Sequence, residues 1–126
     1  MKDGKFLILY VDDDQDFLDS MRLVLEANGY SMVEASNAEE GLKVYKDSHP
    51  DFVIVDLMME EVDAGTNLVR ELKALGNKVP VYMLSSVGDQ MNLTTSASEL
   101  GLTGIFQKPV DHRSLLMTLR SKLHPA

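Results

Sequence analysis

Five short apolar runs alternate with five segments of helical spacing, and nothing else in this 126-residue sequence restricts its fold as strongly. The runs are Phe6–Val11, Tyr30–Ala35, Phe52–Val55, Val79–Leu84 (interrupted by Pro80) and Thr103–Gln107. Their length and β-branched content suit strands buried on both faces. Between them lie stripes of helical period. Phe17, Met21, Val24 and Leu25 make the first, and Ala38, Gly41, Leu42 and Tyr45 the second. Leu68, Val69, Leu72 and Leu75 make the third, Leu93, Ala97 and Leu100 a thin fourth, and Leu115, Leu116, Leu119 and Leu123 the fifth. Asp14, Asn37 and Asp111 stand where N-caps belong, and Asn28-Gly29, His49-Pro50 and Gly76-Asn77 stand where helices stop. Five strand-helix pairs in strict alternation predict an α/β domain, a doubly wound five-stranded parallel sheet with five helices on its two faces. A closed barrel needs eight such pairs, and the strand order 2-1-3-4-5 is one of two common open solutions. With no repeat, low-complexity tract or linker, residues 1–126 read as one domain.

Ligands of open parallel sheets gather outside the carboxyl ends of the strands, so the chemistry is sought just after each apolar run. Asp12, Asp13 and Asp14 follow the first run, Asp56 the third, Ser85 the fourth, and Lys108-Pro109 the fifth. Asp14 is assigned to capping the next helix, where its charge also suits the helix dipole. Asp12, Asp13 and Asp56 must then converge in one crevice. Two like charges about 4 Å apart cost on the order of 4 kcal/mol at an effective dielectric of about 20, so such a cluster calls for a cation. Hard oxygen ligands with open positions suit Mg²⁺. With Lys108 as a fixed positive charge and Ser85 as a hydroxyl donor, the set describes a phosphoryl-binding crevice. Singly, each residue is better read as a cap, a turn residue or a solvated charge; four groups from four strands at one edge are harder to assign that way.

Charge and composition exclude several classes. Twelve Lys+Arg against 20 Asp+Glu give a net charge of -8, which repels nucleic-acid backbones and anionic lipid. Cysteine is absent, which removes disulfides, thiolate metal sites and a cysteine nucleophile. The six-residue run Phe6–Val11 ends in aspartates and is neither a signal peptide nor a membrane span, so a soluble, cytoplasmic protein with no membrane partner is expected. His49, His112 and His124 are scattered and read as surface residues rather than ligands.

From FLILYVDDD through DFVIVDLMM and VPVYMLSS to FQKPV, the chain resembles the response-regulator receiver domains of two-component signalling, the CheY-like superfamily. The resemblance implies a flavodoxin-like fold and a phosphoacceptor switch in a phosphorelay, not an enzyme acting on a separate substrate. It implies that Asp56 accepts phosphate from a sensor histidine kinase or a histidine phosphotransfer protein. By the same resemblance Asp13 is the more direct Mg²⁺ ligand, Asp12 acts largely through water, and the backbone carbonyl of Met58 is a further ligand. Ser85 matches the switch hydroxyl and Lys108 the lysine that pairs with the phosphoryl group. The Lys108-Pro109 peptide is expected to be cis. No output domain is expected within the chain, so signalling runs to a downstream protein target or a fused output domain.

The sequence departs from the family pattern at several points. The aromatic expected three residues before the lysine is replaced by Ile105, and Phe106, one place along, belongs to the opposite strand face. The loop after the acceptor runs Met59-Glu60-Glu61-Val62 without the usual proline, and Ser86 stands where a small apolar residue is common. Met58 and Val87, at the positions that tune dephosphorylation in the family, are apolar and cannot orient an attacking water, which implies a long-lived phosphoform. Two rival readings compete with this one. A haloacid-dehalogenase-like phosphohydrolase would use Asp12 and Asp14, but Asp16 replaces its Thr/Val and Asp56 would have no role. A phosphate-independent degenerate receiver would act purely as a binding module, although every acceptor and metal position is filled. A calcium loop fails because Phe17 replaces the required glycine and Leu23 the final glutamate.

Overall fold

The computed structural model describes residues 4–56, 64–85 and 102–124. Along the chain these form β1 (Leu7–Val11), α1 (Gln15–Ala27), β2 (Ser31–Ala35), α2 (Ala38–Ser48), β3 (Phe52–Asp56), α3 (Ala64–Ala74), β4 (Val81–Ser85), β5 (Gly104–Gln107) and α4 (His112–Leu123). The five strands form one parallel sheet in the order β2-β1-β3-β4-β5, as the alternation predicts. The predicted helix around Leu93–Leu100 falls outside the described residues.

The helix starts follow the polar residues that precede them. The Asp14 carboxylate accepts from the Asp16 amide at 2.9 Å, and the Asn37 side chain from the Glu40 amide at 2.8 Å. Asp111 caps α4 through the Arg113 amide and the Ser114 hydroxyl. Each of the three amide contacts satisfies a backbone donor that the first helical turn leaves unpaired. At the other end of α2, His49 takes the left-handed conformation (φ 51°) before Pro50, which ends the helix.

Alternating side chains divide the interior into two layers. Ile8, Tyr10, Phe52, Ile54, Tyr82, Leu84 and Phe106 face α1 and α4, meeting Leu18, Met21 and Leu25 from one and Leu115 and Leu119 from the other. Leu9, Val11, Val53, Val55, Val81 and Met83 face the opposite way, against α2 and against Leu68, Val69 and Leu72 of α3. Each fully buried aliphatic side chain contributes roughly 1.5–3 kcal/mol relative to exposure, so both layers hold the sheet. Close approach of α2 needs Gly41, where an added Cβ would stand 3.0 Å from Val11 Cγ2 and 3.1 Å from Leu68 Cδ2.

Two expected stripe members are corrected. Phe17 is 44% exposed, and adjacent Leu18 takes the core position. Helical period fixes a stripe's spacing, but with two apolar neighbours it leaves the phase to packing. Leu75 lies past the end of α3 and is exposed. Ile105 and Phe106 lie on opposite faces as strand alternation requires. Ile105 packs in the α2/α3 layer, and Phe106 stacks on Tyr82 with ring centroids 4.8 Å apart. Tyr82 in turn stacks on Phe52 at 5.1 Å.

Candidate functional site

The strand ends bring the sequence-distant residues together. Tyr10 pairs in register with Ile54 and Val11 with Val55, so one further step along β1 and β3 sets Asp12 opposite Asp56. Both follow by two residues a side chain of the α1/α4 layer, and both therefore point to that side. Ser85 ends β4 two residues after Met83, on the α2/α3 parity. Lys108 follows β5, tied to β4 by its amide, which donates to the Ser85 carbonyl at 2.7 Å. The Lys108-Pro109 peptide is cis, as expected.

Carboxylate oxygens of Asp12, Asp13 and Asp56 all lie within 4.8 Å of one another. Asp12 is 0% and Asp56 1% exposed, while Asp13 opens to solvent. Burying carboxylates in this way is costly without compensating partners. Lys108 supplies one, its Nζ 2.9 Å from Asp56 Oδ1. The same ammonium lies 4.7 Å from the centre of the half-exposed Phe17 ring. Asp12 is held by two donors: the Asp14 amide reaches Oδ1 at 2.9 Å, and the Tyr10 hydroxyl donates to Oδ2. Ser85 Oγ is fully buried and meets no hydrogen-bond partner among the described residues.

The donor set fits a hard divalent cation: three carboxylates, one facing solvent so that water ligands can be kept. The buried Ser85 hydroxyl at the neighbouring strand end, without a partner among the described residues, suits an acceptor-rich group such as phosphoryl. Asp12, Asp13, Asp56, Ser85 and Lys108 are thus brought to one edge. Met58, Ser86 and Val87, together with the Glu60-Glu61 stretch, lie outside the described residues. The phosphohydrolase alternative fits poorly, because Asp12 is engaged by two donors and Asp14 caps α1.

Sequence reasoning missed Tyr10. It lies inside the first apolar run and counts as a core residue, which its ring is. Burial pushes its phenol far above the usual tyrosine range, and the hydrogen bond to Asp12 and the charges of Asp12, Asp56 and Asp14 push it further, so it remains a donor. The available signal was its position two residues before Asp12, on the same strand face.

A family model, the response regulator receiver domain, matches residues 8–120. Response regulator MprA of Mycobacterium sp. (strain KMS) is 32% identical over 116 residues, covering 92% of this chain and 50% of that protein. The chain thus spans about half the length of the curated relatives it matches. Among solved structures, a response regulator receiver domain protein (CheY-like) from Methanospirillum hungatei JF-1 superposes with a TM-score of 0.86 at 28% identity, covering 96% of this chain and 95% of the other. A receiver domain protein from Clostridium thermocellum also gives 0.86, at 27% identity and 94% coverage of each chain.

Proposed function

Because this chain belongs to the response regulator receiver domain family, we propose that Asp56 is its phosphoacceptor and that the Asp12–Asp13–Asp56 edge is the site of its signalling chemistry. A response regulator receiver domain is a two-component signalling switch. The observation that carries it is the ion pair between Asp56 and Lys108 beside two further carboxylates.

Asp12, Asp13, Asp56 and the backbone carbonyl of Met58 would hold Mg²⁺, which when bound neutralises charge on the phosphoryl oxygens. An oxygen of Asp56 attacks the phosphorus of a phosphohistidine; the P–N bond breaks, its electron pair leaves with the imidazole, and an acyl phosphate forms. Lys108, already beside Asp56, transfers its pairing to the incoming phosphoryl oxygens. Ser85 Oγ, which has no hydrogen-bond partner among the described residues, donates to the new acceptor and draws the end of β4 toward it. The changed surface around β4 and β5 is the output. Phe106 is built into the aromatic stack of the α1/α4 layer, whereas Ile105 lies in the other layer, on the same side as Ser85 and as Gln107, the register partner of Ser85. With apolar Met58 and Val87 at the tuning positions, slow loss of phosphate is expected.

The phosphodonor is a sensor histidine kinase or histidine phosphotransfer protein. The recipient of the signal is a downstream protein or an output domain fused to residues 1–126, which we read as one receiver domain. The negative charge speaks against nucleic-acid binding by this domain itself. Among the described residues no helix is long and apolar enough to cross a membrane, and with the cysteine-free composition this supports a cytoplasmic setting. Incubation with acetyl phosphate and Mg²⁺, followed by intact-mass and peptide analysis, tests the assignment. One phosphoryl group on Asp56, lost in Asp56→Asn, is expected. Phosphate on Asp12 would sink the reading in favour of a hydrolase, and no uptake would favour a phosphate-independent module.

A further inference from the structure

Tyr10 is the polar-tipped residue in a run of otherwise hydrocarbon side chains, Phe6–Val11, and its ring is almost wholly buried between the sheet and α1. A phenylalanine would fill the same space. What the hydroxyl adds is a hydrogen bond, and a buried tyrosine hydroxyl must find a partner. Here the partner is the carboxylate of Asp12, itself fully buried at the edge of the acidic cluster. With the Asp14 amide on the other oxygen and its own amide donating to the Ala35 carbonyl at 3.0 Å, Asp12 is fixed at three points. Tyr10 also lines a cavity of about 220 Å³ with Phe17, Met21, Leu84, Lys108 and Pro109, so its ring stands between the core and the site.

We propose that Tyr10 is a positioning residue for the cation site: its hydroxyl fixes the rotamer of Asp12 so that the remaining lone pairs face Asp13 and Asp56. The proposal rests on the divalent-cation reading given above. Groups of this kind, which touch a ligand rather than the metal, typically change metal affinity by about 10–100-fold when removed. Loss of the hydroxyl leaves the Asp12 carboxylate held by the Asp14 amide alone, with more freedom about its Cα–Cβ and Cβ–Cγ bonds.

The experiment is calorimetric titration of MgCl2 into the phosphate-free full chain, comparing wild type, Tyr10→Phe, Tyr10→4-aminophenylalanine and Asp13→Asn. Tyr10→Phe should weaken Mg²⁺ binding about tenfold, and the 4-amino variant, which keeps a donor on an equally large ring, should restore most of it. With acetyl phosphate, Tyr10→Phe should raise the Mg²⁺ concentration for half-maximal phosphorylation while leaving the rate at saturating Mg²⁺ within about twofold of wild type. Wild-type affinity in Tyr10→Phe, with Asp13→Asn impaired, would overturn the role of Tyr10 alone. Failure of the 4-amino ring to restore affinity would also overturn it, since packing would then be the cause. Absence of Mg²⁺ binding by the wild type would overturn the cation site itself.

Discussion

Lys108 Nζ sits 2.9 Å from Asp56 Oδ1, an ion pair that reaches from the end of β5 to the end of β3 across the intervening strand β4. It sets the Lys108 ammonium against one of the two carboxylates of the cluster that are closed to solvent. Removing the lysine should therefore cost stability as well as chemistry. We expect Lys108→Met to destabilise the cation-free protein by about 2 kcal/mol, less than the loss for a fully enclosed pair because the lysine is partly exposed. In the Asp56→Asn background the same change should cost at least about 1 kcal/mol less. Urea denaturation of the four proteins measures this, and strict additivity would show the pair to be energetically silent.

Three carboxylates within 4.8 Å repel one another, and the proposed Mg²⁺ site should relieve that repulsion. Raising MgCl2 to about a hundred times its dissociation constant should add about 2.7 kcal/mol through mass action, and EDTA should remove it. Thermal melts would show the midpoint rising with Mg²⁺ in wild type and barely moving in Asp13→Asn. A wild-type midpoint insensitive to Mg²⁺ would be inconsistent with the site.

Adjacent residues of α1 should respond very differently to truncation. Leu18→Ala opens the α1/α4 layer and should cost about 2–5 kcal/mol, whereas Phe17→Ala removes an exposed ring under Lys108 and should cost about 0.5–1 kcal/mol. Equal losses in denaturant midpoints would mean that Phe17 is a core residue after all.

Gly104 faces the Tyr82 ring, and an added Cβ would lie 2.5 Å from its Cε2. Gly104→Ala should push Tyr82 against Phe52 and Phe106 and destabilise the fold by about 1–3 kcal/mol. Near-ultraviolet circular dichroism should change along with stability, since the tyrosine environment shifts. An unaltered spectrum with full stability would contradict the packing described.

Hydrogen bonding from Arg22 holds the Glu34 carboxyl below its ordinary value of 4.5, aided by Gln15 and the Arg22 charge and opposed by burial. The folded protein thus binds this proton more weakly than the unfolded chain does. The resulting stabilisation is complete well above pH 4.5 and is lost as pH falls through the lower folded value. The stability gap between wild type and Glu34→Gln should be constant near neutrality and close in acid. A gap that widens on acidification would reverse the sign of this linkage.

Much of this fold was legible because its determinants are local. Apolar run length, the caps Asp14, Asn37 and Asp111, and the stop at His49-Pro50 each act within a few residues, and all appear where expected. Alternation along β5 was enough to separate Ile105 from Phe106. The phase of α1 was not legible, because Phe17 and Leu18 are both apolar and the choice between them is made by packing against side chains from distant strands. Asp12, Asp13, Asp56, Ser85 and Lys108 could be grouped at one edge by chemistry, yet their pairing depends on strand order and register, which no single segment encodes. Tyr10 escaped notice because hydropathy reads its ring and ignores the direction of its hydroxyl.

The parity of the strands separates Ser85 from its neighbours: it belongs with the α2 and α3 side, whereas Asp56 and Lys108 belong with α1 and α4. Two oily compartments that otherwise share only a wall of backbone therefore meet at this rim. A guest gripped by the hydroxyl and the ammonium together acts as a rivet through that wall, so load applied on one side is delivered to the other at a single point.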